Sequence, residues 1–142
     1  MNNIKNTRQE CVILLHGLAR SAHSMDKMAQ RLTEQGYKVL NIDYPSRAYP
    51  IEQLAEATIS DALKQCEGMP VSFVTHSMGG ILVRQFLSNH SVKNLNKVSV
   101  ESTKMDGMND HIEIPTTHVF MMRNDTVIEQ VICYLKQGQF NH

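Results

Sequence analysis

A serine at the junction of a predicted strand and a predicted helix is the residue best placed to do chemistry. Ser77 lies in the stretch FVTHSMGG (73–80), directly after an apolar, strand-like run. A serine on such a tight strand-to-helix turn has its hydroxyl raised above the sheet, provided that its neighbours are small. Gly79 and Gly80 leave that room, and the start of the helix directs backbone N–H groups toward an anion. The pattern predicts a nucleophilic Ser77, with the N–H of Met78 as one donor to an oxyanion.

A second group of candidate residues follows the first apolar run, in the stretch LLHGLARS. In open parallel sheets, ligands bind beyond the carboxyl ends of the strands, so His16 and Gly17 are expected near Ser77. The second oxyanion donor should come from this loop, and the N–H of Leu18 is the candidate. His16 is expected to orient the loop through hydrogen bonds, and His76 is expected to pack against the sheet.

The hydropathy pattern predicts the scaffold that brings these residues together. Apolar strands are predicted at CVILL, YKVLNI and VSFVT, each followed by an amphipathic helix, and further strands at KVSVE and HIEIP. Continuous apolar strands that alternate with helices indicate parallel strands covered on both faces. The predicted fold class is therefore α/β, a three-layer sandwich around a mostly parallel sheet. A single domain is expected over residues 1–142, with a polar N-terminal segment at 1–10 and no separate lid.

The helical period also predicts which side chains face the sheet. The helix that follows Ser77, from about 77 to 89, is predicted to bury Ile81, Leu82, Phe86 and Leu87. The last predicted helix, from about 124 to 137, carries an apolar stripe of Val127, Val131, Ile132 and Leu135. Each helix is therefore expected to pack on the sheet through its apolar stripe, with helices on both faces of the sheet.

Charge and composition narrow the function classes. The 14 basic residues balance the 14 acidic ones, which gives no attraction to nucleic acid or to an anionic membrane. The apolar run CVILL is too short for a membrane span or a signal-peptide core, so a cytoplasmic location is expected. No glycine-rich nucleotide-binding motif is present, and neither a cofactor nor a metal ion is expected. The Asp110–Glu113 run DHIE has a spacing like that of metal ligands, but on a strand its neighbours would point to opposite faces.

The three cysteines show no paired spacing. Cys11, Cys66 and Cys133 each fall within an apolar pattern, and their number is odd. A disulfide framework or a zinc knuckle is therefore not expected, and buried thiols are predicted instead.

Four stretches together resemble the α/β-hydrolase superfamily, particularly its small bacterial esterase- or lipase-like members. They are VILLHGLARS, NIDYPSR, FVTHSMGG and PTTHVFMMRN, which lie between about residues 11 and 137. The resemblance implies the chain order serine, acid, histidine, with the histidine on a loop before the last helix. His118 meets that description and would act as general base toward Ser77. The usual Gly-x-Ser-x-Gly pattern is altered here, because its first position is Thr75.

The position of the acid also departs from the family pattern. The resemblance implies an aspartate just before KVSVEST, where this chain has Asn94, Leu95 and Asn96. Ser77 and His118 are only 41 positions apart, which is short for the superfamily and suggests that a block between them was lost. The substitute acids are Glu101, which is favoured, then Asp106 and Asp110, with Asp43 the fourth choice.

The resulting functional hypothesis is a serine hydrolase that cleaves small carboxylic esters through an acyl-enzyme on Ser77. Without a lid, the site should be open and should prefer soluble esters of short to medium acyl length. The alternative is a shortened, non-catalytic or weakly active α/β domain that binds a ligand or a partner. Loss of an edge strand would expose apolar surface that a homodimer could cover.

Overall fold

The computed structural model describes residues 9–17, 21–92, 95–101 and 125–137. Its described strands form a four-stranded sheet in which every neighbouring pair is parallel. In spatial order the strands are β2 (Lys38–Ile42), β1 (Cys11–Leu15), β3 (Val71–His76) and β4 (Leu95–Glu101). The parallel sheet confirms the predicted α/β class, and the predicted strands are observed to within a few residues where the structure describes them.

Helices connect and cover the strands. A short 3-10 helix (Ala22–Met25) leads into α1 (Asp26–Glu34), and α2 (Ile51–Gln65) begins directly after Pro50. The other two are α3 (Met78–Asn89) and α4 (Asp125–Gln137). The turns that follow α1 and α2 contain Gly36 and Gly68, with φ values of +98° and +82° that favour glycine. None of the described helices is both long enough and apolar enough to cross a bilayer.

Alternate residues of β1 enter two separate cores. Cys11, Ile13 and Leu15 pack with α2 and α3 on one face of the sheet. Val12 and Leu14 pack with α1 and α4 on the other face. Because β1 has a helix layer on both sides, its apolar run is continuous rather than alternating with polar residues. The two cores confirm the predicted three-layer sandwich.

One residue of α3 contradicts the predicted buried face. Leu82 and Phe86 are buried as predicted and Leu87 is half-buried, but Ile81 is 42% exposed. The helix contacts the sheet through Gly79. The buried residues of the same helix face therefore lie three, four and seven positions later, at Leu82, Val83 and Phe86. Ile81 follows Gly79 by two residues, about 200° around the helix axis, and therefore faces away from the core.

The prediction of free thiols at positions 11 and 66 is wrong, because Cys11 and Cys66 form a disulfide. Their Cα atoms are 5.7 Å apart although 55 positions separate them in the sequence. Cys11 begins β1 and Cys66 follows the last residue of α2, so the bond joins the end of a helix to the strand beneath it. No local spacing could indicate this contact, since it depends on how α2 packs on the sheet. Cys133 is half-buried and takes no part in this disulfide.

Charged side chains join α4 to α1 at the rim of the second core. Lys27 Nζ lies 2.8 Å from Asp125 Oδ1, and Arg31 contacts both Asp125 and Glu129. The hydrogen bond and the charge of Lys27 lower the pKa of the Asp125 carboxyl. Exposed ion pairs of this kind contribute little to stability. The apolar side chains of α4 therefore provide most of the stability of its contact with the rest of the protein.

Candidate active site

Ser77 occupies the turn between β3 and α3 in a backbone conformation that residues with a side chain rarely adopt. Its φ is +53° and its ψ is −117°. A non-glycine residue at such angles carries steric strain, which costs on the order of 1–3 kcal/mol. Only Glu67 shares a positive φ among the non-glycine residues that the structure describes, and it follows the end of α2. The residue that the sequence predicts to be the nucleophile therefore has a strained backbone.

The side chain of Ser77 does not cap the helix that it precedes. Serine is a common N-cap because its oxygen accepts a hydrogen bond from the first helical turn. At Ser77 no such side-chain bond is formed, and the backbone carbonyl instead accepts a 2.9 Å hydrogen bond from the N–H of Gly80. The structural role most often found for a serine at this position is therefore not the one observed.

Gly79 allows α3 to begin directly against the end of β1. A Cβ atom at position 79 would lie 2.5 Å from the carbonyl oxygen of Leu15 and 2.8 Å from its Cβ. Real Cβ atoms essentially never come so close, and the oxygen is part of a buried strand. The absence of a side chain at Gly79 thus sets the distance between the Ser77 turn and β1.

Replacing Gly79 with alanine is expected to destabilise the protein by about 1–3 kcal/mol, the usual cost of overpacking. Within a helix the same change normally stabilises, by about 1 kcal/mol, so the sign itself is informative. Urea unfolding of Gly79→Ala and the native protein measures the difference. Ser88→Ala, at an exposed position of the same helix, is the control and should change stability by less than about 0.5 kcal/mol. A Gly79→Ala protein as stable as the native one would contradict the close packing.

The loop after β1 lies beside the Ser77 turn, as the sequence predicts. A Cβ atom at Gly17 would be 3.5 Å from Ser77 Cβ and 3.2 Å from His76 Nδ1. His76 itself is buried at the end of β3. The backbone of Gly17 therefore lies close to the side chain of Ser77.

His16 is fully buried and orients this loop through its ring. Its Nδ1 lies 2.8 Å from the carbonyl oxygen of Gly17, and its Nε2 lies 3.3 Å from the backbone N of Tyr44. Since the Tyr44 N–H can only donate, Nε2 is the acceptor and the proton is assigned to Nδ1, which donates to Gly17. Nε2 is also 3.7 Å from Asp43 Oδ1. In this tautomer Nε2 carries no proton, so the contact is not an ion pair.

Side chains in β2 and just after it bind the backbone of Ala22, where the 3-10 helix begins. Asp43 Oδ1 accepts a 3.0 Å hydrogen bond from the N–H of Ala22, and Asn41 Nδ2 donates to the Ala22 carbonyl at 2.9 Å. Asp43 follows the last residue of β2, and 71% of its side chain is exposed. Its carboxylate binds the first N–H of the 3-10 helix. This contact favours a role for Asp43, the fourth candidate acid, in holding the loop in place.

The structure places only part of the predicted site. Glu101 is the last residue of β4 and pairs with His76 across the sheet, so its backbone lies one strand away from the Ser77 turn. Four other predicted site residues lie outside the described ranges: Leu18, Asp106, Asp110 and His118. The predicted strand HIEIP and the DHIE run also lie outside them. The distance between Ser77 and His118 therefore stays a prediction.

Tyr44 is a residue of this region that the sequence analysis missed. It is buried beside His16, and the two rings stack with their centroids 4.1 Å apart and an interplanar angle of 15°. Its phenolic O–H donates to the carbonyl of His16 at 2.5 Å. The signal available in the sequence was its place just after a predicted strand, where functional side chains of parallel sheets collect.

Several solved structures with a similar fold are α/β-hydrolases. An esterase from Exiguobacterium antarcticum is 26% identical with a TM-score of 0.58, and the match covers 65% of this chain and 37% of the esterase. An extracellular α/β-hydrolase from a Paenibacillus species is 20% identical with a TM-score of 0.55, covering 65% and 40% of the two chains. An epoxide hydrolase from Vigna radiata is 19% identical with a TM-score of 0.58, covering 68% and 34%. The chain therefore has a reduced α/β-hydrolase fold.

Comparison of sequences gives a weaker likeness in the same direction. A protein of Mycobacterium phage D29 that bears the provisional name of a non-heme haloperoxidase is 24% identical over 111 residues, which cover 72% of this chain and 40% of that protein. No protein-family model matches the sequence. The chain thus spans only 34% to 40% of the length of these relatives. The proteins it resembles are named for different reactions, so the likeness alone identifies no single reaction for this chain.

Proposed function

We propose that this protein is a serine hydrolase that cleaves carboxylic esters through an acyl-enzyme on Ser77. The observation that supports this most directly is the strained backbone of Ser77, combined with a side chain that does not cap α3. Strain of this kind persists only where the surrounding structure holds it, and it is concentrated at functional sites. The likeness to a solved esterase supports the same reaction class.

In the proposed mechanism, the Ser77 hydroxyl oxygen attacks the ester carbonyl carbon and His118 takes the hydroxyl proton. The N–H groups of Leu18 and Met78 donate to the oxyanion of the tetrahedral intermediate. When that intermediate collapses, the alcohol leaves with the proton held by His118, and the acyl group stays on Ser77. Water then attacks the acyl-enzyme by the same route and releases the acid.

Glu101 is the proposed partner of His118. A carboxylate behind the histidine holds the correct tautomer and stabilises the imidazolium that forms during attack. Glu101 is the last residue of β4, which pairs with β3. Its backbone therefore lies at the carboxyl ends of the strands, where Ser77 also lies. Asp106 and Asp110 remain the other candidates for this role.

Labelling with a fluorophosphonate, read by intact mass, tests the proposal because the probe reacts with an activated serine without needing the natural substrate. The native protein should gain one adduct, while Ser77→Ala and His118→Ala should gain none over the same period. Loss of either residue costs about 10⁶-fold in kcat in a well-studied serine hydrolase. Ser88→Ala, which removes an exposed hydroxyl on α3, is the control and should react at the native rate.

Two outcomes would contradict the proposal. An adduct that persists in Ser77→Ala would place the reactive group elsewhere. A folded native protein that takes up no probe would favour the alternative of a non-catalytic domain that binds a ligand or partner. If labelling behaves as expected, Glu101→Gln, Asp106→Asn and Asp110→Asn identify the acid, since its loss costs on the order of 10⁴-fold.

A further inference from the structure

Tyr44 makes three contacts with the residue that orients the loop beside Ser77. Its phenolic O–H donates to the His16 carbonyl at 2.5 Å, its backbone N–H donates to His16 Nε2 at 3.3 Å, and its ring stacks on the imidazole. Both residues are buried, at 4% exposure for Tyr44 and 0% for His16. His16 directly follows the end of β1, and Tyr44 lies two positions after the end of β2. The two strands are parallel and their last residues are paired, so His16 and Tyr44 come together.

These contacts extend to the backbone that faces the nucleophile. The imidazole held by Tyr44 donates from Nδ1 to the carbonyl of Gly17 at 2.8 Å. A hydrogen bond to this carbonyl restrains the whole planar peptide unit that begins at Gly17. The N–H of that unit is the oxyanion donor proposed above. The carbonyls of His16 and Gly17 are thus both hydrogen-bonded, one by Tyr44 and the other through His16.

We propose that Tyr44 is a positioning residue of the active site, which acts through His16 to hold the Gly17 peptide in the direction that an oxyanion donor requires. The inference rests on the proposed function, since it assigns a role within the same site. Oxyanion stabilisation depends on donors that are already oriented before charge develops. A displacement of about 1 Å in an active site can cost 10²-fold in rate. The Tyr44 hydroxyl is suited to this role because burial raises the pKa of the phenol, so that it remains a donor.

Tyr44→Phe separates positioning from core packing. The phenylalanine keeps the ring, its stacking on His16 and the backbone N–H, and it removes only the O–H that reaches the His16 carbonyl. We expect kcat for a short-chain ester such as p-nitrophenyl acetate to fall by about 10- to 100-fold, with KM within about twofold of the native value. A loss confined to kcat indicates an interaction made in the transition state rather than in substrate binding.

Tyr37→Phe is the matched control, because it removes a phenolic oxygen from a half-buried tyrosine that packs against the other core. Its kcat should equal the native value. Thermal unfolding of both variants shows whether each is folded at the assay temperature. His16→Gln provides a second route, since it removes the imidazole ring that links Tyr44 to Gly17, and it should show the same selective loss of kcat.

The inference is wrong if folded Tyr44→Phe retains kcat within twofold of the native protein. It is also wrong if the loss in rate merely follows the fraction of unfolded protein. Should Tyr44→Phe not fold, a folded His16→Gln with native kcat would overturn the inference equally. Failure of the proposed function looks different, because the native protein itself would then neither hydrolyse the ester nor take up the fluorophosphonate.

Discussion

Replacing Ser77 with glycine should abolish ester hydrolysis and at the same time raise the stability of the protein. Glycine adopts a φ of +53° and a ψ of −117° without steric strain, so the 1–3 kcal/mol stored at Ser77 is released. The greater freedom of glycine in the unfolded chain costs about 0.4–1 kcal/mol. We therefore expect a net gain of about 1 kcal/mol in the free energy of unfolding. Loss of the hydroxyl should lower kcat by about 10⁶-fold.

Ser77→Ala is the control that separates the two effects. Alanine also lacks the hydroxyl and should be equally inactive, but its Cβ carries the same steric conflict as that of serine. Urea unfolding of the three proteins gives the stabilities, and hydrolysis of p-nitrophenyl acetate gives the rates. A Ser77→Gly variant no more stable than Ser77→Ala would show that the turn holds no strain for glycine to release.

Reduction of the disulfide between Cys11 and Cys66 should be the most destabilising single change considered. The bond closes a loop of 55 positions, and the loss of chain entropy in the unfolded state predicts a contribution of about 4 kcal/mol. For a domain of this size, that corresponds to a fall in Tm of roughly 10–15 °C. Unfolding with and without a thiol reductant measures the effect on one sequence, and Cys11→Ala/Cys66→Ala should reproduce it in oxidising buffer.

Cys133→Ala supplies the matched control, since it removes the cysteine outside the disulfide and leaves the Cys11–Cys66 bond in place. Its stability should fall on reduction by the same amount as that of the native protein. Alkylation under denaturing conditions counts the free thiols directly, and one is expected before reduction and three after it. A reductant that leaves the unfolding midpoint unchanged would contradict the stabilising role of the bond.

The local elements could be predicted from sequence because their signals are local. Apolar runs gave β1 and β3, and helical periodicity gave the buried face of α4. The orientation of Ile81 could not be predicted in this way. It depends on the helix face that Gly79 brings onto Leu15, and that contact is set by the packing of two elements.

In the candidate site, too, the features set by neighbouring residues could be predicted, and those set by tertiary contacts could not. The Ser77 turn could be predicted because consecutive residues define it: an apolar strand before the serine and two glycines after it. Tyr44 could not be assigned, since its contact with His16 exists only when β2 pairs in register with β1. The bond between Cys11 and Cys66 was missed for a similar reason, as it joins the first strand to the end of α2.

The arrangement of the two cores has a consequence for synthesis on the ribosome. The face covered by α2 and α3 draws mainly on residues 11–95, a continuous segment that emerges first. The opposite face needs α4, whose residues are translated much later. Val12, Leu14 and Val74 therefore remain only partly covered while the intervening chain is made. We therefore expect this face of the sheet to stay partly exposed, and open to aggregation, until residues 125–137 have emerged.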